Sequence, residues 1–265
     1  MKRLFHPVAA LLLVPAFFIF PACQKEHCPQ DLPHDVKFCP ILALKSIDPA
    51  NPSVIQSQYS IHYNTAGNPV DMLFTVGDPY AKFDYHFRYD QFNRLTDYIQ
   101  NYTGNTGSII WHRYSYPSNR TVVDSVFNYG NALITDPAPD PTDFPSAVVL
   151  TLDEKGRIVK SQAAGSPTFT RYQYDGRGNL VRDGISYDNK VNIYRTNYVW
   201  QFIFNDFSTN NPSSPLYNGG PTTITSYNSV GLPLVMNGVS YLFDHIFYTS
   251  ELDIDYACDA GHVAP

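Results

Sequence analysis

Apolar and polar residues alternate along most of the chain between residues 39 and 258. Residues at alternate positions share one face of a strand, so a period of two predicts half-buried β-strands. No stretch sustains a helical period beyond a turn or two, and we therefore expect an all-β domain. The alternating positions include Tyr59, Ile61 and Tyr63; Tyr85, Phe87 and Tyr89; Tyr198, Trp200, Phe202 and Phe204; and Leu252, Ile254 and Tyr256.

A recurring motif marks the places where these strands are expected to reverse. It consists of a large residue, then Asp or Asn, two or three variable positions, then Gly or Asn, and a return to apolar residues. The Asp or Asn can accept backbone N–H groups, and the Gly or Asn tolerates positive φ. Six copies begin at Tyr63, Tyr89, Leu152, Tyr174, Tyr187 and Tyr227, with Gly67 and Asn192 in the glycine position of the first and fifth; the turn-forming residues assigned to the others are Asp90, Asn93, Asp153, Gly156, Asp175, Gly178, Asn228 and Gly231.

Hairpins of this kind predict an antiparallel meander, arranged as a curled sheet or as a partly closed barrel or shell. We expect residues 39–258 to form a single β-hairpin domain and residues 259–265 a C-terminal tail. Residues 135–145, with four prolines, and residues 205–221 are predicted to be long loops. The aromatic stripe from Tyr198 to Phe204 is interpreted as a core-facing strand rather than as a ligand site.

The first 22 residues have the features of a targeting segment. Lys2 and Arg3 precede an apolar run that is short for a membrane span, and Ala22 precedes Cys23. This junction resembles the lipobox of bacterial lipoproteins, which implies cleavage before Cys23 and lipid attachment to its sulfur. An ordinary signal peptide followed by a structural cysteine is the alternative, and residues 23–38 are predicted to be a tether.

The remaining cysteines suggest a disulfide, because exported proteins can keep such bonds. Cys39 stands at the start of the predicted domain and Cys258 follows its last strand, so we predict a Cys39–Cys258 bond between the first and last strands. Cys28–Cys39 is the competing pair. Cys28, His34 and Cys39 have no compact zinc-binding spacing, and neither a metal nor a cofactor is expected.

Candidate catalytic groups are few. Asp253 and Asp255 would share a strand face, and Asp136, Asp140 and Asp143 lie in one loop, so these carboxylates are the candidates for a hydrolase. Nothing identifies one of them as a buried acid, and solvated strand faces and turns explain them. His62, His86 and His112 are predicted at outward strand positions. A net charge of −6 argues against nucleic acid as a partner.

The run Tyr174-Asp-Gly-Arg-Gly-Asn-Leu180 resembles the YD repeats of Rhs-type bacterial proteins. The chain resembles more closely a group of uncharacterised YD-repeat-like lipoproteins of the Bacteroidota. In large Rhs proteins such hairpins wind into a shell around a toxin domain. About six copies and no toxin-like tail make a closed shell and a toxin-carrier role unexpected here.

The sequence thus leads us to expect a non-enzymatic binding or structural module. The lipid anchor would attach the protein to the outer membrane, on either the periplasmic side or the cell-surface side. A glycan-binding accessory lipoprotein of a polysaccharide-uptake system is the first alternative, and a carboxylate-dependent hydrolase is the second. A glycan or a protein is the expected ligand.

Overall fold

The computed structural model describes residues 39–259, except for 49, 79–81, 105–106, 129, 132–137, 141, 144, 213–222 and 240–248. Within these residues the fold is almost entirely antiparallel β-sheet, which confirms the expected fold class. The predicted signal peptide, Cys23, the tether with Cys28, the residues after 259 and Asp136 lie outside the described part of the chain.

The described residues form seventeen strands, one α-helix and two short 3-10 helices. The 3-10 helices span Ile193–Thr196 and Ala257–Asp259, and α1 spans Tyr198–Ile203. The strands are β1 (Ile41–Asp48), β2 (Asn51–Tyr63), β3 (Pro69–Val76), β4 (Phe83–Tyr89), β5 (Leu95–Tyr102), β6 (Gly107–Ser118), β7 (Thr121–Phe127), β8 (Gly130–Asn131), β9 (Ala138–Pro139), β10 (Ser146–Leu152), β11 (Ile158–Ala163), β12 (Thr170–Arg171), β13 (Tyr187–Val191), β14 (Asn210–Pro212), β15 (Thr223–Tyr227), β16 (Pro233–Val239) and β17 (Thr249–Tyr256).

One large sheet dominates the fold. Its strands follow the order β12-β11-β10-β7-β6-β5-β4-β3-β2-β1-β17-β16-β15, and β8 and β9 extend β6 to one side. Most neighbours in this order are consecutive in the chain, as a meander requires. The described strands do not close into a barrel, since β12 and β15 stand at opposite ends of the order. Strands β13 and β14 form a separate small sheet.

The first and last strands of the chain lie side by side. Strand β1 pairs with β17 from Ile41–Tyr256 to Ile47–Glu251, and a disulfide joins Cys39 to Cys258 across 219 residues of sequence. The predicted Cys39–Cys258 bond is therefore confirmed. Closing so long a loop removes conformational freedom from the unfolded chain, which typically stabilises a fold by about 2–4 kcal/mol.

Five hairpin turns share one hydrogen-bond pattern at one edge of the sheet, here called the turn edge. In the turn at Asp90, the carboxylate oxygen Oδ1 accepts the N–H groups of Phe92 and Arg94, each at 2.9 Å. Asn93 then adopts a φ of +60°, where most side chains other than Asn are strained. The same pattern occurs at Asn64, Asp153, Asp175 and Asn228, with Gly67, Gly156, Gly178 and Gly231 at positive φ.

Five tyrosines at this edge of the sheet each tie the end of one strand to the start of a neighbouring strand. Each hydroxyl donates to the backbone carbonyl of the residue that opens the neighbouring strand. We call these contacts tyrosine bridges: Tyr63 to Ile41 (2.8 Å), Tyr89 to Pro69 (2.6 Å), Tyr116 to Leu95 (2.7 Å), Tyr174 to Ile158 (3.0 Å) and Tyr256 to Pro233 (2.8 Å). They hold successive turns together along the turn edge.

The two faces of the sheet differ in what they bury. The inner face carries the large core, which includes Tyr59, Tyr85 and Phe87. The outer face carries a small second core, in which Ile99 and Trp111 are fully buried beside Phe127. The indole N–H of Trp111 donates to the Asp97 carboxylate at 2.7 Å, which satisfies its one polar group.

The aromatic stripe at 198–204 is not a strand, contrary to the prediction. Tyr198–Ile203 forms α1, and Asn197 caps it by accepting the N–H of Val199 at 2.8 Å. The intervening positions are also mostly apolar and buried, so the segment is buried all round, and a buried helix and a strand then give the same sequence pattern. Trp200, Phe202 and Phe204 are core residues, as interpreted.

Three other local predictions were wrong. The copy at Tyr187 is not a hairpin turn: Tyr187–Val191 is β13, and Asn192, with φ −63°, caps the following 3-10 helix. Ala138–Pro139 in the proline-rich stretch is a short strand that pairs with β8. Proline has no N–H group to donate, but a pairing of only two residues requires few N–H donors. Asn210–Pro212 in the second predicted loop pairs with β13.

Residues 187–212, which we call the plug, connect the two ends of the open sheet. At one end the Val191 N–H donates to the Gly231 carbonyl at 3.0 Å, and Tyr227 of β15 donates its hydroxyl to Asp188 at 3.0 Å. At the other end Ser208 Oγ accepts the N–H of Leu180 at 3.1 Å. The plug therefore bridges a gap that strand pairing leaves open.

The plug also contacts the turn edge from the inner face. Asn197 Nδ2 donates to the Gly67 carbonyl at 2.9 Å, and the Tyr198 hydroxyl donates to the Gly156 carbonyl at 3.3 Å. Trp200 packs edge-on against Phe87, with ring centroids 5.4 Å apart. These contacts hold α1 across the sheet and place its C-terminal end over β6 and its neighbours.

We expect the Tyr89→Phe substitution to lower the free energy of unfolding. It removes the hydroxyl that bonds to the carbonyl of the buried residue Pro69 and leaves the ring in place. The expected loss is about 1–3 kcal/mol, because the carbonyl would remain buried without a donor. Urea denaturation measures it. Tyr102→Phe is the control, since Tyr102 is 44% exposed; equal stability of Tyr89→Phe and wild type would refute the tyrosine bridge.

A second prediction concerns Asp206 in the plug, which is fully buried. Its Oδ1 accepts the N–H of Ser208 at 2.9 Å, but burial dominates and raises the pKa of the carboxyl above its usual value. A raised folded-state pKa favours the protonated group, so the stability it contributes is present at low pH and is lost as pH rises through the folded-state pKa.

We therefore expect Asp206→Asn to gain stability relative to wild type as pH rises from 4 to 7. Asparagine keeps the acceptor for Ser208 and cannot ionise. Urea denaturation at several pH values tests this, with Asp183→Asn as the matched control at an exposed position. If the stability difference between Asp206→Asn and wild type stays constant across that range, the buried carboxyl does not contribute as argued.

Candidate functional site

A cavity of about 410 Å³ lies between the inner face of the sheet and the C-terminal end of α1. The sheet contributes side chains from five adjacent strands, β5, β6, β7, β10 and β11. The plug contributes the other wall. The lining residues are Tyr98, Ile110, His112, Tyr114, Asp124, Val148, Leu150, Ser161, Phe202, Ile203, Phe204 and Asn205.

His112 and Asp124 form the polar centre of this cavity. His112 Nδ1 lies 2.9 Å from Asp124 Oδ2 and 3.1 Å from Oδ1, so both carboxylate oxygens face the same ring nitrogen. Both side chains are largely buried, at 24% and 14% exposure. A carboxylate can only accept, so Nδ1 carries the hydrogen and Nε2 is the ring nitrogen left for another group.

Strand register explains why these two residues meet. Tyr98 of β5 is opposite His112 of β6, and Asp124 of β7 is opposite Tyr114 of β6. Alternate residues on one strand share a face, so His112 and Tyr114 both point inward with Asp124. His112 therefore does not occupy the predicted outward position. His62 and His86 lie on the outer face, where His86 Nδ1 is 2.8 Å from Asp71 Oδ1.

The aromatic rings of the cavity stack mainly on one another. Tyr98 and His112 have ring centroids 5.5 Å apart, and His112 and Tyr114 are nearly parallel at 6.1 Å. On the plug, Phe204 stacks on Tyr194 at 4.9 Å, and Phe202 stacks on Tyr198 and meets Tyr114 edge-on. Each of these rings thus packs against at least one other ring of the protein, and the cavity lining also includes the aliphatic side chains of Ile110, Val148, Leu150 and Ile203.

The cavity has no nucleophile beside its histidine among the described residues. Ser161 is the one lining serine, but it lies on β11, three strand positions away from β6. At about 4.8 Å per strand this separation is about 14 Å along the sheet, far beyond hydrogen-bond reach of His112. Ser161 Oγ is also within 3.2 Å of the Tyr172 hydroxyl. Ser161 and His112 therefore do not form a nucleophile–base pair.

The candidate hydrolase carboxylates lie elsewhere. Asp253 and Asp255 are on the outer face of β17, where Asp255 forms an ion pair with Lys45. Burial, followed by the nearby Glu251 charge, raises the pKa of Asp253. Asp140 accepts from Thr142, and Asp143 accepts the N–H of Asn128. The structure does not bring these residues to the cavity, and no group of three potential metal ligands occurs in the described residues.

The turn-forming residues are also separate from the cavity. The side-chain oxygens of Asp90, Asp153, Asp175 and Asn228 accept within their own turns, and the carbonyls of Gly156 and Gly231 accept from the plug. All the assigned turn residues lie at the turn edge: Asp90, Asn93, Asp153, Gly156, Asp175, Gly178, Asn228 and Gly231. The N–H of Asn179 contributes most to lowering the pKa of Asp175. These residues build the scaffold rather than a binding surface.

Sequence reasoning missed the pairing of His112 with Asp124. The strand-forming residues near both were visible, since Trp111 and Tyr114 lie close to one and Val122 and Val123 precede the other. The register between β6 and β7 was not. A bulge between Ser115 and Ser118 shifts the pairing of β6 with β7. Residue partners counted from the turn between Ser118 and Thr121, without this bulge, would therefore be wrong.

None of the helices in the described residues has the length and apolar character needed to cross a membrane. No family model matches the chain, and no curated protein matches it. Among solved structures, a chain in one titled "Crystal Structure of TcdB2-TccC3-TEV" aligns with 76% of this chain at 11% identity and a TM-score of 0.23. The alignment spans only 11% of that larger chain, and a likeness this low carries no argument about fold or function.

Proposed function

We propose that the chain is an exported, lipid-anchored, non-enzymatic binding module of the bacterial cell envelope. The observation that carries the binding role is the inner cavity, whose polar centre, His112 and Asp124, is held by adjacent strands of a large sheet. Rigid elements that present a few polar groups within an apolar pocket are typical of small-molecule sites. The proposal places the ligand there rather than at the turn edge.

Export and anchoring are supported by the N-terminal sequence and by the cysteines. The charged start, the short apolar run and Cys23 fit a lipoprotein signal. The disulfide between Cys39 and Cys258 suits a compartment in which thiols oxidise. Attached acyl chains would hold the protein at the membrane, because each buried methylene contributes about 0.8 kcal/mol. The YD-like turns support a relation to the YD-repeat-like lipoproteins as part of the same proposal.

The two alternatives have less support. A hydrolase would need paired carboxylates at a cleft, whereas Asp253 and Asp255 lie on the outer face and Asp140 and Asp143 serve loop contacts. A glycan-binding site would gain from exposed ring faces. The rings of Tyr98, Tyr114 and Phe204 stack mainly on other rings of the protein.

We expect the full-length protein, expressed in a bacterium that processes lipoproteins, to partition into the detergent phase of a two-phase extraction. The Cys23→Ser variant should move to the aqueous phase, because it lacks the sulfur that would carry the lipid.

Cys28→Ser is the matched control, five residues further along the predicted tether, and it should partition like wild type. If Cys23→Ser remains in the detergent phase to the same extent, the lipid-anchor part of the proposal is wrong. If both variants move to the aqueous phase, the loss does not report lipid attachment at Cys23.

A further inference from the structure

The chemistry of the inner cavity restricts what it can bind, and this inference rests on the proposed binding function. We propose that the cavity takes a small, uncharged, largely apolar molecule with a single hydroxyl group, and that this hydroxyl donates to His112 Nε2. A volume of about 410 Å³ lies at the lower end of the range of small-ligand pockets, about 300–1,000 Å³.

The lining of the cavity is only half polar, which suits a sugar poorly. Six of its twelve side chains carry a polar group, namely His112, Asp124, Ser161, Asn205, Tyr98 and Tyr114, and the other six are purely apolar. Both Asp124 oxygens face His112, and Ser161 Oγ contacts Tyr172. A monosaccharide would bring several hydroxyls into an enclosure in which half of the lining side chains offer no hydrogen-bond partner. Each hydroxyl left without a partner would weaken binding, because desolvation of a polar group is unfavourable unless a hydrogen bond replaces water.

The charge of the lining also disfavours ions. No Lys or Arg is among the lining residues, and an anionic ligand would meet the Asp124 carboxylate without a compensating cation. A cation could be attracted by the Asp124 carboxylate or by an aromatic face, but the nearby rings pack on one another at centroid separations of 4.9–6.1 Å. Asp124 is already directed at His112 Nδ1. A neutral ligand satisfies this environment best.

The histidine sets the direction of the one expected hydrogen bond. Asp124 accepts from Nδ1, so in the neutral ring Nε2 has a lone pair and acts as an acceptor. Nε2 is also the ring nitrogen farther from the backbone, and His112 stands on the inner face among the lining residues. The complementary ligand group is therefore a donor on an apolar body, such as an alcohol or a phenol.

Benzyl alcohol is a suitable probe, with toluene as its counterpart lacking a hydroxyl. Benzoate, benzylamine and D-glucose test the anionic, cationic and sugar classes. We expect the purified full-length protein, with its disulfide intact, to bind benzyl alcohol more tightly than toluene by about two- to twelvefold in Kd, the effect of one hydrogen bond. Isothermal titration calorimetry measures binding of the soluble probes, and the shift in thermal midpoint compares all five.

Two variants locate the site and the hydrogen bond. Val148→Phe places extra volume at a half-buried lining position and should abolish binding of both benzyl alcohol and toluene. His112→Phe keeps an aromatic ring and should remove the preference for benzyl alcohol while toluene still binds. Ser161→Ala is the matched control, since it lines the same cavity but bonds to Tyr172, and it should keep the wild-type preference. Circular dichroism confirms that each variant is folded.

Several results would overturn the proposal. Equal affinity for toluene and benzyl alcohol, or an unchanged preference in His112→Phe, would exclude the hydrogen bond. Tighter binding of D-glucose, benzoate or benzylamine would exclude the ligand class while leaving a binding site in place. Binding of none of the five probes, or binding unaffected by Val148→Phe, would remove the cavity as the site and with it the binding role. The Cys23→Ser partition result is independent of all of these outcomes.

Discussion

A side-chain oxygen that accepts two backbone N–H groups is the interaction on which the sheet depends. In the turn at Asp90 the oxygen holds the N–H groups two and four residues ahead, and Asn93 adopts positive φ so that the chain can return. Five turns repeat this geometry at one edge. Since a two-stranded hairpin is marginally stable alone, the turns matter because they set the register in which neighbouring hairpins can pair.

The tyrosine bridges connect the separate hairpin turns to one another along the edge of the sheet. Tyr89 reaches Pro69 and Tyr116 reaches Leu95, so each hydroxyl joins one turn to the turn before it. Arginines at two turns add to this: Arg94 bonds to its own Asp90 and lies 4.4 Å from the centre of the Tyr116 ring. The motif therefore reverses the direction of the chain and also attaches its turn to the preceding turn. That combination explains why an acid and a tyrosine stand side by side in the sequence.

Much of this architecture was accessible from the sequence because it is local. A turn of this kind is specified by residues within about five positions, and period-two alternation specifies strands without knowledge of their partners. The plug was not accessible for the opposite reason. Residues Tyr198–Ile203 are helical because Asn197 caps them and because the sheet surrounds them with apolar contacts, and both sides of the segment are buried. Burial on all sides erases the pattern by which a helix is recognised.

The cavity was inaccessible for a related reason, since it exists only where the plug meets the sheet. His112 and Asp124 are twelve residues apart, but their contact depends on a bulge between β6 and β7, and the facing wall comes from residues 202–205. A site that depends on strand register and on a helix far away in the sequence has no contiguous sequence motif.

The plug also explains how an open sheet can keep such a cavity. Strands β12 and β15 do not pair, and an unpaired gap would ordinarily let the sheet flatten or attract another strand. Hydrogen bonds from the plug to Gly231 at one end and from Leu180 to Ser208 at the other hold the ends at a set separation. The disulfide holds β1 beside β17, close to the β15 end of the strand order. Curvature is thus maintained by side-chain and loop contacts rather than by barrel closure, and the inner face stays concave enough to enclose a ligand-sized space against α1.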